Sequence, residues 1–171
     1  MVRIAFVCIE NAGRSQMAAA FARAHVPDGV EIVSGGTTPA GAVHPEVVEA
    51  MRERGIDLSD ERPTKVGPED LADCDFVITM GCSKDDVCPA RFRGDARDWA
   101  LPDPKGRPLE DVRRIRDEIE ERVLRLLQEV AAAEGGSTGK LTDRPRRRAV
   151  VADAARRKGS GRRHARTRSS P

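Results

Sequence analysis

The hydrophobic positions of the first 134 residues fall into short runs that are separated by longer amphipathic stretches. Runs of mostly apolar residues predict strands at residues 2–7, 30–34 and 75–80, and residues 98–101 predict part of a fourth strand. Short runs with apolar residues at successive positions are typical of strands that are buried on both faces of a sheet.

Helices are predicted in the intervals between these strands. An Ala-rich helix covers about residues 15–25, a second covers residues 45–55, and a third runs from residue 109 to about residue 133. A short helix is expected within the connector at residues 61–74. Because strands alternate with helices, the pattern predicts a doubly wound α/β domain over residues 1–134, with a parallel sheet covered by helices on both faces.

Residues 135–171 have a different composition, with 12 basic and 2 acidic residues, a net charge of +10. The preceding 134 residues carry 18 basic and 26 acidic residues, a net charge of −8. A Gly-, Ser- and Arg-rich segment buries too little apolar surface to offset its ordering entropy, so we predict a disordered tail. It is either a solvated tail or an electrostatic arm that contacts the acidic domain or, without sequence preference, nucleic acid. It has no aromatic residue for base stacking.

The sequence predicts a cytoplasmic protein. It has no run of about 18 apolar residues, so no membrane-spanning helix is expected. The first apolar run ends at Cys8, which is too short for a secretory signal. Four cysteines in such a chain are more typical of catalysis, redox chemistry or metal binding than of structural disulfides.

Cys8 stands at the end of the first predicted strand, and Arg14 lies where the following helix begins. In doubly wound sheets, ligands bind beyond the carboxyl ends of the strands. A loop of this length can turn its backbone N–H groups toward a tetrahedral oxyanion, and Arg14 can hold two oxygens of that anion. Arg14 and the helix N-terminus both favour the thiolate form of Cys8, and Ser15 can donate a hydrogen bond to its sulfur. The alternative is a buried apolar Cys8 and an unrelated surface Arg14.

The segment VCIENAGRSQMAAAFA resembles the phosphate-binding loop and first helix of the low-molecular-weight protein tyrosine phosphatase superfamily, especially its arsenate reductase branch. The resemblance continues through SGGTTPAGAVHPEVVEAM, ITMGCSKDDVCPA and DWALPDPKG, over roughly residues 2–130. It implies a four-stranded parallel sheet, a nucleophile at Cys8, an oxyanion-binding Arg14 and a loop-ordering Asn11. The expected oxyanion site consists of Cys8, Ile9, Glu10, Asn11, Ala12, Gly13, Arg14 and Ser15.

Glu10 departs from the pattern of the superfamily, in which a small or neutral residue is usual at this position. A carboxylate beside an anion pocket repels the ligand. We therefore expect the side chain of Glu10 to point away from the pocket.

Asp103 is the candidate general acid, because the resemblance implies an Asp-Pro pair that protonates the leaving oxygen. A carboxyl group within reach of the anion can perform this role. Pro104 restricts the backbone of Asp103 and narrows the freedom of the loop. The alternative is a simple Asp-Pro turn.

Cys82 and Cys88 follow the third predicted strand, with five residues between them. One alternative is that the two cysteines bind a metal. No further Cys or His lies close enough to complete a set of four ligands, so no metal site is predicted. They could also be unrelated thiols. The resemblance implies instead that Cys8 forms an adduct with arsenate, that Cys82 attacks Cys8, and that Cys88 attacks Cys82. Thioredoxin or another thiol carrier would reduce the final disulfide, without a bound cofactor.

The remaining Cys and His residues have no predicted catalytic role. Cys74 stands at the start of the third strand, on the opposite edge of the sheet, and is expected to pack in the core. His44 precedes a predicted helix and is expected to support its N-terminus.

Arsenate reduction is the function that these features favour. Lys105 and Gly106 follow Pro104 where the resemblance implies an aromatic wall for phosphotyrosine, and the chain has no Tyr. A pocket without aromatic walls suits a small inorganic oxyanion: arsenate, with phosphate or sulfate as competitors. A phosphatase acting through a phosphocysteine is the alternative, and a non-catalytic oxyanion-binding protein is a third class, which would leave Cys8 and Asp103 without a role.

Overall fold

The computed structural model describes residues 1–90 and 92–135. Four parallel strands form one sheet in the order β2-β1-β3-β4. The strands are β1 (Val2–Cys8), β2 (Val30–Gly36), β3 (Phe76–Met80) and β4 (Asp95–Asp98). The doubly wound parallel sheet that the sequence predicts is therefore confirmed.

Helices occupy the connections between the strands and follow the last one. They are α1 (Arg14–His25), α2 (Pro45–Arg52), α3 (Pro68–Leu71), α4 (Lys84–Val87) and α5 (Leu109–Gly135). The short α3 lies in the connector where a short helix was expected. The one-turn α4 was not predicted. It begins after Ser83, whose side chain accepts a hydrogen bond from the backbone of Asp85, a usual N-cap arrangement.

Alternate residues of β1 face opposite sides of the sheet, as the strand period of two requires. Ile4, Phe6 and Cys8 pack into the larger hydrophobic cluster, together with residues of α1, α2 and α5. Ala5 and Val7 pack into the smaller cluster, together with residues of α3 and α4. Helices therefore cover both faces, and the Cys8 side chain belongs to the larger cluster.

The fourth strand covers Asp95–Asp98, and the prediction of strand at residues 98–101 is wrong beyond its first residue. The apolar side chains that suggested a strand are buried in another way. Trp99 packs against Phe6 with ring centroids 6.0 Å apart, and Leu101 is buried in the larger hydrophobic cluster. The edge strand itself is mostly polar, because its sequence is DARD.

None of the helices within the described residues is long and apolar enough to cross a membrane. The last helix ends at Gly135, where the predicted basic tail begins. The rest of residues 135–171, with its predicted disorder and its predicted contact with nucleic acid, lies outside the described residues.

Candidate active site

The loop between β1 and α1 lies at the carboxyl edge of the sheet. Four of its carbonyl groups accept hydrogen bonds of 2.8 to 3.2 Å from backbone N–H groups in residues 37–44; they belong to Cys8, Ile9, Glu10 and Ala12. A trans peptide points its C=O and the following N–H in opposite directions. The N–H groups that follow these carbonyls therefore turn inward, and one of them, from Asn11, donates to Cys8 Sγ at 3.2 Å.

The side chain of Asn11 holds this loop in place through four hydrogen bonds. Its Nδ2 donates to Ser15 Oγ at 2.8 Å and to Ser34 Oγ at 2.7 Å. Its Oδ1 accepts from Gln16 Nε2 at 3.2 Å and from the backbone N–H of Thr64 at 2.9 Å. The full capacity of the amide is thus used. Asn11 also has a φ of 50°, a left-handed conformation that Asn tolerates better than most residues.

Cys8 is 3% exposed, and its sulfur lies among hydrogen-bond donors. Ser15 Oγ is 2.9 Å from it. Because the Ser15 hydroxyl already accepts from Asn11, its own hydrogen can be donated to the sulfur. No side chain caps α1 at Gly13, so the N–H groups of the first turn point toward the same space. These surroundings suit a thiolate and an anion next to it.

Arg14 is buried and its guanidinium is fixed from two sides. Nη1 donates to the carbonyl of Leu101 at 2.8 Å, and Nη2 lies 3.9 Å from Asp103 Oδ2. Gly81, with a φ of 80°, lies against the guanidinium, and a Cβ there would be 2.6 Å from its nitrogens. Sequence reasoning missed this requirement for glycine, although a glycine directly after a strand is a signal for close backbone approach.

Asp103 lies on the loop between Trp99 and α5, with a half-exposed side chain. Its Oδ1 accepts the backbone N–H of Lys105 at 3.0 Å, which is the Asp-Pro turn that the sequence offered as an alternative. Pro104 packs on the loop between β1 and α1, the anion loop (residues 8–15), since a Cβ on Gly13 would lie 2.9 Å from its Cγ. Asp103 can therefore form the Asp-Pro turn and also lie beside the anion pocket.

A small pocket opens between these elements, and seven residues line it: Cys8, Ile9, Glu10, Gly13, Arg14, His44 and Asp103. Three members of the predicted oxyanion site, Asn11, Ala12 and Ser15, are buried and are not among the lining residues. Glu10 is one of the lining residues, and His44 was not predicted to line the pocket.

Glu10 is compatible with an anion pocket because both of its oxygens have cationic or hydrogen-bonding partners. Oε1 accepts from Lys105 Nζ at 2.8 Å, and Oε2 lies 3.1 Å from His44 Nε2. The hydrogen bond from Lys105 is the largest cause that lowers the pKa of Glu10, and the same bond raises the pKa of Lys105. His44 is the N-cap residue of α2 and supports the start of the helix as expected: its carbonyl accepts the N–H groups of Val47 and Val48 at 3.0 Å, and its side chain makes no capping hydrogen bond.

Comparison with known proteins places this geometry in a family. The family model described as low molecular weight phosphotyrosine protein phosphatase matches residues 3–135. The chain belongs to this family. The match includes the anion loop, Asp103 and the segment that contains Cys82 and Cys88.

Relatives within the low-molecular-weight phosphatase family include reductases and phosphatases. A Halobacterium salinarum protein provisionally named an arsenate reductase is 51% identical over 132 residues, which are 74% of this chain and 92% of that protein. The structure of a Corynebacterium glutamicum thioredoxin-dependent arsenate reductase matches with a TM-score of 0.66 and 33% identity, over 78% of this chain and 63% of that one. The structure of the YwlE arginine phosphatase from Geobacillus stearothermophilus matches with a TM-score of 0.66 and 26% identity, over 82% of this chain and 99% of that one.

This member of the phosphatase family carries two further thiols next to the anion loop. Met80, the last residue of β3, pairs with Cys8 in the parallel ladder, and Cys82 follows two residues later. The thiol of Cys82 donates to the carbonyl of Val7 at 3.7 Å. Cys82 and Cys88 both pack against the smaller hydrophobic cluster, and burial raises the pKa of each thiol.

Cys74 is buried at the start of β3, as expected, with its sulfur 3.8 Å from the carbonyl of Asp70. Burial raises the pKa of its thiol as well. All four cysteines are unpaired. Within residues 1–90 and 92–135, no group of three His, Cys, Asp or Glu residues could hold a metal ion.

Proposed function

We propose that this chain reduces arsenate to arsenite and takes its electrons from an external thiol carrier such as thioredoxin. The observation that carries the proposal is the presence of Cys82 and Cys88 directly beyond β3, beside the anion loop. Hydrolysis of a phosphate ester needs a nucleophile, an anion-binding Arg and an acid, but no second thiol. The similarity to named arsenate reductases supports the same reaction class.

In the first step, arsenate binds with its oxygens on the inward N–H groups of the anion loop and on Arg14. The thiolate of Cys8 attacks arsenic, and an As–S bond forms. One oxygen of arsenate leaves as water after Asp103 protonates it. The product is a covalent Cys8–arsenate adduct in which arsenic is still in the +5 state.

In the second step, the thiolate of Cys82 attacks the sulfur of Cys8. A disulfide forms as the S–As bond breaks, and the electron pair of that bond stays on arsenic, which leaves as arsenite in the +3 state. The thiolate of Cys88 then attacks Cys82 and releases Cys8 as a thiolate. The external dithiol reduces the Cys82–Cys88 disulfide, so two thiols are oxidised for each arsenate reduced.

The proposed exchange requires a rearrangement of the segment after β3. Cys8 packs in the larger hydrophobic cluster, whereas Cys82 packs against the smaller one on the other face of the sheet. Cys82 must therefore leave its contact with the carbonyl of Val7 and lose its proton before it attacks. The one-turn α4, between Cys82 and Cys88, is a short element that can unfold at low cost.

The alternative is a phosphatase, and the similarity to the YwlE arginine phosphatase favours it. Cys8, Arg14 and Asp103 would be sufficient, with water hydrolysing a phosphocysteine. The two functions differ in their requirement for Cys82 and Cys88.

The decisive experiment measures arsenite production with thioredoxin and its reductase as the only source of electrons. Cys88→Ala should complete one turnover, release arsenite and retain a Cys8–Cys82 disulfide, which peptide mapping identifies. Cys82→Ala should stop at the Cys8–arsenate adduct. Cys74→Ala is the matched control, because it removes a buried thiol from the opposite edge of the sheet, and it should turn over like the wild type.

Each other outcome has a definite meaning. Wild-type turnover by both Cys82→Ala and Cys88→Ala with thioredoxin alone would refute the relay. Turnover that requires an added small thiol would mean that an external thiol replaces Cys82. If the wild type forms no arsenite with any thiol reductant but hydrolyses p-nitrophenyl phosphate, the phosphatase alternative holds.

A further inference from the structure

We propose that Glu10 is a positioning residue that holds the acid loop, residues 101–108, over the anion pocket through its ionic contact with Lys105. Glu10 is the one acidic residue of the anion loop, residues 8–15. The proposal deepens the proposed function, because it assigns a role in the protonation step, but its structural part is independent of the reaction.

The first support is that Glu10 joins three elements. Its backbone carbonyl accepts the N–H of Ala40, which fixes the residue in the anion loop. Its Oε1 receives Lys105 Nζ from the acid loop at 2.8 Å, and its Oε2 meets His44 Nε2 at the start of α2 at 3.1 Å. The side chain of Glu10 therefore connects the acid loop and the start of α2 to the anion loop.

The second support is that the acid loop has no regular secondary structure and few other attachments. Its carbonyl at Leu101 accepts from Arg14, and its N–H at Gly106 donates to Glu46 Oε1 at 2.7 Å. Asp103 itself is 54% exposed, and its nearest cation is 3.9 Å away. The position of the Asp103 carboxyl group therefore depends on how the surrounding loop is held.

The third support is that Lys105 connects Glu10 to Asp103. The ammonium group of Lys105 contacts Glu10, and its backbone N–H donates to Asp103 Oδ1 at 3.0 Å. If the ammonium group is released, the backbone that orients Asp103 loses one of its anchors at the anion loop, while the packing of Pro104 on Gly13 and the hydrogen bond from Arg14 to Leu101 remain. The same contact neutralises Glu10, so a carboxylate can line the pocket without expelling an oxyanion.

These contacts predict effects of opposite sign on binding and on chemistry. Glu10→Gln removes a negative charge from the pocket wall, so inorganic phosphate should bind at least as tightly as in the wild type. The same change weakens the hold on the acid loop, so kcat should fall. Lys105→Met leaves Glu10 uncompensated, so it should weaken phosphate binding and lower kcat as well. General damage to the site would weaken binding in both variants.

The first test is amide hydrogen exchange of the full chain, followed by mass spectrometry. Peptides from the acid loop should exchange about threefold faster or more in Glu10→Gln and in Lys105→Met, because a partly exposed ion pair is lost. Glu110→Gln, which removes the exposed contact with Arg114 on α5, is the matched control and should leave the acid loop unchanged. Unchanged exchange of the acid loop in Glu10→Gln would overturn the proposal, whether or not the protein reduces arsenate.

The second test places Glu10→Gln in an Asp103→Asn background. If Glu10 acts through Asp103, the double variant should turn over no more slowly than Asp103→Asn alone, whereas Glu10→Gln alone should lower kcat about tenfold. Turnover is followed as arsenite formation or, if the wild type forms none, as hydrolysis of p-nitrophenyl phosphate. A tenfold further loss in the double variant would show that Glu10 does not act through Asp103.

Discussion

The anion loop, residues 8–15, and the thiol segment, residues 82–88, lie next to each other but are held in different ways. The anion loop is bound to residues 37–44 by four backbone hydrogen bonds. The side-chain amide of Asn11, within the loop, makes four more hydrogen bonds. The thiol segment is held mainly by local contacts within one helical turn and by half-buried packing. Its sulfur contact to the rest of the sheet is the 3.7 Å bond from Cys82 to Val7.

This difference matches what each region has to do in the proposed reaction. An oxyanion is bound best by donors that are already in place, because no free energy is then spent on ordering them. Thiols that exchange partners must move between them, so their segment must be less strongly held.

Removing the nucleophile should have the largest effect. Cys8→Ser replaces the sulfur with a hydroxyl that neither ionises near neutral pH nor forms a disulfide, so arsenate reduction and phosphate ester hydrolysis should both be abolished. Both assays would check this, with Cys74→Ser as a control for the loss of a thiol. Substantial remaining activity in either assay would remove Cys8 from the mechanism.

Asn11→Ala should destabilise the protein by about 2–4 kcal/mol, because it leaves several buried polar partners unsatisfied and places Ala in a left-handed conformation. Urea denaturation of the full chain measures this loss. Ser34→Ala, which removes only one partner of Asn11, is the matched control and should cost about 1 kcal/mol. Equal losses in the two variants would show that Asn11 does not act as the centre of the loop.

Arg14→Lys should weaken the binding of inorganic phosphate by about 2 kcal/mol, or roughly thirtyfold, although the charge is kept. An ammonium group cannot hold two oxygens and the carbonyl of Leu101 in the planar arrangement of a guanidinium. Titration calorimetry with phosphate tests the change. An affinity equal to that of the wild type would mean that Arg14 does not contact the anion.

Gly81→Ala should be more damaging than Gly55→Ala, although both glycines have similar φ angles of 80° and 74°. Both variants bear the cost of a left-handed alanine, about 1–2 kcal/mol. Only at Gly81 does the new Cβ meet the guanidinium of Arg14, since nothing lies within 4 Å of a Cβ at Gly55. Phosphate affinity should therefore fall in Gly81→Ala alone, and equal affinities would contradict the packing described here.

The smallest expected effect concerns the thiol segment. Because burial raises the pKa of Cys82 and Cys88, their thiolate fractions are low at neutral pH and increase only as pH rises toward the raised values. In a Cys8→Ser background, both should react with iodoacetamide about threefold or more slowly than free glutathione at pH 8. Faster reaction than glutathione would show that the segment is already open.

Apolar periodicity and the Cys8-to-Arg14 spacing are local signals, so the sequence was sufficient to predict three of the four strands, the longer helices and the loop between β1 and α1. It was insufficient for the contacts of Glu10, because its partners Lys105 and His44 lie 95 and 34 residues away in the chain. The fourth strand was misplaced for a similar reason: Trp99 and Leu101 are apolar because they pack in the larger hydrophobic cluster after the strand has ended. Tertiary partners, rather than local pattern, decide such positions.

The half-buried state of Cys82 and Cys88 also affects the protein when no arsenate is present. Peroxide and other oxidants in the surroundings attack thiolates rather than thiols. Both sulfurs are packed against the smaller cluster, and burial favours their protonated form, so Cys82 and Cys88 are poor targets for such oxidants in the resting protein. In the proposed relay, these two thiols would therefore give up electrons only after an oxyanion has reacted with Cys8, and the thiol carrier would not be consumed in the absence of substrate.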